Sequence, residues 1–246
     1  DASETDIGFS SGYLDTAALL SFVGAGSGFI TKIYNQAVSG PDMVQPDTAK
    51  QPAIVLSGVL QQVNGSACGL FSGSAMYSES SFSGLSATDK ATIFMSFRAL
   101  TSSVQVLSEM SPNYNNAPNT FLLTVNENVT GSIALGRKAV SPQSRWNPTR
   151  AVPATMVFAG AIDFAGTTPA TETPNFRVNT ISQTLTNSSS DDSGSGNFST
   201  QTLYLGARNA TSFMFNGLVS EHIIYPDLNY ASTTAVDASM SALLGV

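Results

Sequence analysis

The feature that most constrains this chain is a succession of short, strand-like apolar runs with no helical period between them. From Pro52 onward they fall at Ala53 to Leu56, Ala67 to Phe71, Ala91 to Ala99, Ser103 to Leu107, Thr120 to Val125 and Val129 to Leu135. Turn signals such as NGS, SPNYNNAPN and SPQSRWNP separate them, and four more runs follow at Ala154 to Phe164, Phe176 to Ile181, Gln201 to Gly206 and Phe213 to Tyr225. Strands that follow one another without crossover helices pair antiparallel, so the chain is expected to be an all-β sandwich or barrel. In ATIFMSFRA and TMVFAGAIDF the apolar alternation is imperfect, the pattern of strands covered on both faces.

Two segments break this rhythm. Between Leu14 and Val23 the apolar residues recur at helical spacing, Asp15 can cap the start, and Gly24, Gly26 and Gly28 stop the helix. That glycine run lacks the Lys-Ser/Thr ending of a phosphate loop and the strand that precedes a dinucleotide fingerprint. From Ser232 to Leu244 the residues Ala235, Val236, Ser239, Met240, Leu243 and Leu244 predict a closing amphipathic helix. The expected organisation is one domain over 1–246: a helix and extended entry segment over 1–50, the sandwich over 51–228 and the closing helix over 229–246.

Composition narrows the function. Charged residues make up 11% of the chain, against about a quarter in ordinary domains, and 35 Ser with 24 Thr supply the polar surface instead. A net charge of -7 denies the chain the basic field that phosphate binding needs, so no nucleic-acid partner is expected. No apolar run approaches the roughly 18 residues of a membrane-spanning helix, and DASETDIGFS contains no secretory leader pattern. One Cys68 and one His222 exclude an internal disulfide and a four-ligand zinc site, and Cys68 reads as a buried small hydrophobe. Asn187 to Ser199 is the one low-complexity stretch and reads as an exposed hairpin loop. Its Asp191 and Asp192 offer hard oxygen donors for calcium, but no closing Glu stands in register, so no cofactor is expected. The sequons at Asn64, Asn128, Asn187, Asn197 and Asn209 are common by chance in so Asn- and Ser-rich a chain.

Three stretches in the C-terminal third carry a resemblance: FRVN at Phe176 to Asn179, LYLGAR at Leu203 to Arg208 and FNGLVSEHIIY at Phe215 to Tyr225, ahead of a terminal helix. In order and spacing they resemble the concanavalin A-like, laminin-G-like jelly roll. Tyr13 to Gln36 together with QPAIV at Gln51 to Val55 is similar to the α-L-arabinofuranosidase B catalytic-domain-like proteins, a group that includes phage tail and virion proteins. The chain reads YNQAV at Tyr34 to Val38 where that group has Tyr-Asp-Gln-Ser-Gly, so Asn35 replaces its Asp. The group's opening strand has no counterpart. The resemblance implies that an edge left open near residues 1–12 is completed by strand addition, from an upstream segment or a neighbouring subunit.

For catalysis the candidates are thin. Glycoside hydrolysis needs two carboxylates across the scissile bond; Glu127, Asp163 and Glu221 fall on expected strands or their ends. Glu221 reads as a structural carboxylate satisfied by backbone donors or by Arg208, and His222 as a satisfied strand histidine. No acid of the arabinofuranosidases can be placed, their adjacent cysteine pair is absent, and no G-x-S-x-G elbow occurs. Binding is better supplied: the loop SPNYNNAPN offers Tyr114, Asn115 and Asn116 for sugar stacking and hydroxyl contacts, and Trp146 offers a second aromatic plane. For Tyr114 a turn filler is an equal reading, and for Trp146 core or partner packing is the favoured one. The expectation is a non-enzymatic adhesion module of a bacteriophage particle, virion-borne or extracellular, oligomeric with other assembly subunits, and contacting cell-surface glycan. A free lectin-like module and an arabinofuranosidase-type hydrolase are the alternatives.

Overall fold

The computed structural model describes residues 3–37, 40–126, 131–138, 143–146, 152–166, 175–187, 196–228 and 230–246. Its axis is the ten-residue strand Lys90–Ala99, which pairs antiparallel with Ala154–Asp163 on one side and Asn216–Tyr225 on the other. Sheet I extends from there through Arg177–Val178 and Ile181–Ser182 to one edge, and through Gly69–Ser72 and Ala53–Leu56 to Gly28–Phe29 at the other. Sheet II runs, in spatial order, Thr186–Asn187, Gln143–Trp146, Ile133–Lys138, Thr120–Val125, Gln105–Glu109, Tyr204–Leu205, Met76–Ser78, Met43–Val44 and Lys32–Ile33. The protein is therefore an all-β, jelly-roll-type sandwich of two antiparallel sheets with a helix near each end, as the strand rhythm implied.

The imperfect alternation of the long strands has a direct cause. Ile93, Met95 and Phe97 point between the sheets, where they meet Phe71, Met76, Leu123 and Phe158. Phe94 points the other way and packs with Val157, Leu218 and Cys68 beneath the C-terminal helix. Both faces of the strand are thus apolar, and Cys68, 2% exposed, fills that second layer as a small hydrophobe. Edge-on aromatic contacts tie the sandwich: Phe158 and Phe176 lie 5.0 Å apart at 72°. The glycine of FNGLV is fixed by close approach, because a Cβ on Gly217 would stand 2.3 Å from the Arg98 carbonyl oxygen.

Helix α1 (Thr16–Val23) begins where the Asp15 side chain accepts from Ala18 N at 2.9 Å and ends at Gly24, whose φ is 60°. Helix α2 (Tyr230–Leu244) lays Met240 and Leu244 on the outer face of sheet I. Its buried stripe is not purely apolar, since Thr233, Asp237 and Ser241 are buried as well. The fully enclosed Asp237 accepts from Arg177 Nε at 3.0 Å and from Thr180 N at 3.3 Å, which latches α2 to the edge of sheet I.

Three expectations are corrected. Residues 28–44 are not an entry segment: they supply strands to both sheets, Gly28–Phe29 to sheet I and Met43–Val44 with Lys32–Ile33 to sheet II. The open edge is formed by Gly28–Phe29 and Lys32–Ile33, whereas Phe9–Ser10 and Tyr13–Leu14 close on each other as a separate hairpin. The run Gln201 to Gly206 shortens to Tyr204–Leu205. The polar stretch 188–195, with Asp191 and Asp192, lies outside the described residues.

Removing one partner of a buried ion pair leaves the other charge uncompensated. Asp237→Ala is expected to lower unfolding free energy by about 3 kcal/mol, read by chemical denaturation, while far-ultraviolet circular dichroism stays β-dominated.

Candidate functional site

Helix α2 covers the outer face of sheet I; on the outer face of sheet II Val106, Thr120, Leu122 and Thr124 are buried as well, and strand register shows which residues share that face. Lys32 pairs with Val44, Val44 with Tyr77, Tyr77 with Tyr204, Tyr204 with Glu109 and Glu109 with Leu122. These residues therefore form one transverse row on a single face. The row runs from an open cleft at the free edge to a carboxylate buried in the middle of the sheet.

At the free edge Lys32 and Val44 lie in a cleft walled by Glu4, Thr31, Gln45, Thr48, Gln51 and Glu79. Lys32 Nζ is 2.8 Å from Asp42 Oδ2 and 3.5 Å from Glu79 Oε2, and it stands 5.1 Å from the centre of the Tyr34 ring. Asp42 also accepts from Asn35 N at 2.8 Å, so the Asn35 backbone helps hold the charge pair. The hydrogen bond to Lys32 holds the Asp42 carboxyl below its ordinary range and, reciprocally, raises Lys32. Tyr34, 46% exposed, donates its hydroxyl to Asp6 at 2.7 Å, and that bond raises its phenol. The loop that walls the cleft is built by its own amides: Gln45 Nε2 donates to Ala75 O at 2.6 Å and Gln51 Nε2 to Gln45 O at 2.9 Å.

At the other end of the row Glu109 has no solvent exposure. Its carboxylate takes Arg208 Nε at 2.9 Å, Tyr114 N at 2.5 Å and Ser111 Oγ at 3.4 Å. Burial raises the Glu109 carboxyl and the Arg208 pair opposes that rise. The Arg208 guanidinium lies 5.0 Å from the centre of the Phe213 ring, whose residue has φ 49° and whose carbonyl accepts from Val106 N at 2.9 Å. Glu109 thus gathers the 111–117 loop and the 206–213 turn over the sheet, and its place is architectural.

The expected site residues separate in this frame. Tyr114 is 2% exposed, packed with Val106 and Leu122 under its own loop, so its ring offers no face to a sugar; the short 3-10 turn Tyr114–Asn116 and its bond to Glu109 turn it inward. Asn115 and Asn116 are exposed beside it. Trp146 ends strand Gln143–Trp146 opposite Ile133, and its side chain lies outside the described residues. Glu127 also lies outside them. Asp163 meets Lys90 at 3.4 Å and accepts from Ala165 N at 2.9 Å, a strand-end role.

Glu221 and His222 differ from their expected structural roles. Arg208 belongs to Glu109, and Glu221, opposite Ser96 on the outer face of sheet I, has no hydrogen-bond or ion partner among the described residues, so burial alone raises its carboxyl. His222 pairs with Met95 on the inner face; its Nε2 is enclosed with no hydrogen-bond partner among the described residues, and burial pushes the imidazole down to about 4. Sequence reasoning missed Glu109 and the cleft altogether. The signal for Glu109 was a lone acid inside an apolar strand pattern, VQVLSEM, with an Arg available in LGAR. Among the described residues no group of three or more His, Cys, Asp or Glu is placed to hold a metal ion, and no helix is long and apolar enough to cross a membrane.

No protein-family model matches this sequence, and no curated protein matches it significantly. Among solved structures, a GH54 α-L-arabinofuranosidase soaked with a cyclic sulfate inhibitor superposes with a TM-score of 0.62 at 14% identity, over 94% of this chain and 54% of that one. An arabinofuranosidase complexed with arabinofuranosyl-α-1,2-xylobiose gives 0.58 at 13% identity, over 93% and 54% of the two chains. The CBM40 of the Ruminococcus gnavus IT-sialidase, bound to α2,3-sialyllactose, gives 0.44 at 14% identity over 61% and 83%, too low a score to carry argument. The arabinofuranosidase likenesses establish the fold, and the chain spans 54% of those enzymes' length.

Two outcomes follow for acid and neutral pH. The unfolded His222 takes up a proton near its ordinary 6.5 and the folded one only near 4, so stability present above pH 6.5 is lost as pH falls between those values. His222→Leu is expected to remove about 3 kcal/mol of that dependence in denaturation series across the window. Glu221 carries the opposite sign: its raised carboxyl favours the folded state at low pH and costs stability as pH rises above 4.5. Glu221→Gln is therefore expected to raise the melting temperature at pH 7, with the gain vanishing below pH 4.5, as scanning calorimetry would read.

Proposed function

We propose that the chain is a non-enzymatic carbohydrate-binding module whose ligand seat is the cleft at the free edge of sheet II. The observation that carries this reading is how the carboxylates are distributed. A glycosidase acid needs a raised carboxyl in an open cleft with a second carboxylate beside it. Among the described residues the carboxyls raised by burial are Glu109, sealed under the 111–117 loop, and Glu221, on the other sheet. Beside the cleft, Asp42 is held ionised by Lys32 and shares that cation with Glu79 of the cleft wall, an arrangement of fixed acceptors. Hydroxyls of Thr31 and Thr48, carboxylates of Glu4 and Glu79 and the adjacent Tyr34 ring suit sugar hydroxyls and a sugar face. The fold is shared with arabinofuranosidases, one of them complexed with an arabinofuranosyl oligosaccharide, which supports a sugar ligand without assigning a reaction.

The same reading extends to placement. An adhesion role on a bacteriophage particle, as fibre, spike or capsid decoration, is supported by the N-terminal pattern Tyr13 to Gln36 with its QPAIV continuation. The free edge strands Gly28–Phe29 and Lys32–Ile33 suit strand pairing with another subunit of such an assembly.

Titration calorimetry with arabinan, xylan and galactan oligosaccharides is expected to show weak binding. Tyr34→Ala, at an exposed site, is expected to weaken it about tenfold while leaving folding intact. Incubation of the unaltered chain with 4-nitrophenyl arabinofuranoside is expected to release no nitrophenol, and turnover abolished by Glu79→Gln would replace this reading with a hydrolase.

A further inference from the structure

We infer that the cleft at the free edge of sheet II, taken as the glycan seat proposed above, selects uncharged sugars and rejects those bearing carboxylate or sulfate, because its cation is already neutralised. Lys32 is the one basic residue lining the cleft among the described residues. Asp42 at 2.8 Å and Glu79 at 3.5 Å both engage its ammonium. Asp42 cannot readily swing aside, since its other oxygen accepts from Asn35 N at 2.8 Å. An acidic sugar reaching Lys32 would have to displace an anchored carboxylate while facing Glu4 and Glu79 on the walls. Asp6, bonded to the Tyr34 hydroxyl, adds a further acid at the rim, and the chain's net charge of -7 extends the same field. A neutral sugar meets no such barrier. Its hydroxyls can donate to the Glu4 and Glu79 carboxylates, and charge-assisted bonds of that kind are the stronger ones.

The residues that set this preference are Asp42 and Glu79, through Lys32. The test is an array carrying neutral arabinan, xylan and galactan oligosaccharides beside oligogalacturonides and sialylated and sulfated glycans, probed with the full chain. Signals are expected on the uncharged set, with acidic members about tenfold weaker. Asp42→Asn with Glu79→Gln frees the ammonium, so the acidic-to-neutral signal ratio is expected to rise about tenfold, and Lys32→Ala on that background is expected to abolish the rise. Because Asp42 also supports the local backbone, Glu79→Gln alone, at a half-exposed side chain, serves as a second variant with a rise of about threefold. Acidic glycans bound as well as neutral ones by the unaltered chain, or an unmoved ratio in folded Glu79→Gln, would overturn the selectivity and leave glycan binding standing. No binding to either set would overturn both.

Discussion

The rest of the structure depends on the strand Lys90–Ala99 being hydrogen-bonded on both edges and apolar on both faces. One apolar face is satisfied by sheet II, through Met76, Phe121 and Leu123. The other has no second sheet to meet, so it needs a cover, and α2 supplies it with Met240 and Leu244 over Phe94 and Val157. That cover is partly polar, and the Asp237–Arg177 bond sets where it sits. Sheet I is thereby occupied on both sides. The outer face of sheet II is buried at its centre too, where the loop that Glu109 holds packs Tyr114 on Val106 and Leu122. The free edge remains.

Much of this fold was legible in the amino-acid order. The runs at Ala53–Leu56 and Thr120–Val125 coincide with strands to the residue, and the broken alternation in ATIFMSFRA did report two buried faces. Asp15 and Gly24 bracket α1 through local chemistry that needs no tertiary context. The entry segment was not legible. Gly28–Phe29, Lys32–Ile33 and Met43–Val44 are two-residue strands, too short for any period to register, and partners far along the chain specify them: Met43–Val44 pairs with Met76–Ser78.

The site was less legible, because what makes it is pairing across strands. Lys32, Asp42 and Glu79 are separated by tens of residues and meet only when Met43–Val44 lies between Lys32–Ile33 and Met76–Ser78. Tyr114 shows the converse failure. Composition marks SPNYNNAPN as an exposed loop, and Asn115 and Asn116 are exposed, but the bond from Tyr114 N to Glu109 turns the one aromatic inward. Glu221, expected to be satisfied by backbone donors or by Arg208, has no such partner among the described residues. Register instead gives Arg208 to Glu109, whose strand lies beside Tyr204–Leu205.

One irregularity remains, in strand Asn216–Tyr225. Ser96 faces Glu221 while Phe97 faces Val219, so Ser220 is an extra residue in the ladder. Before it Gly217 and Val219 look into the core; after it His222 and Ile224 do. The bulge therefore acts as a change of reading frame inside a single strand, and the two halves of NGLVSEHIIY obey opposite parity rules. Were Ser220 instead taken into regular pairing opposite Ser96, the ladder upstream would stay in place while the histidine turned toward α2 and the glutamate into the core.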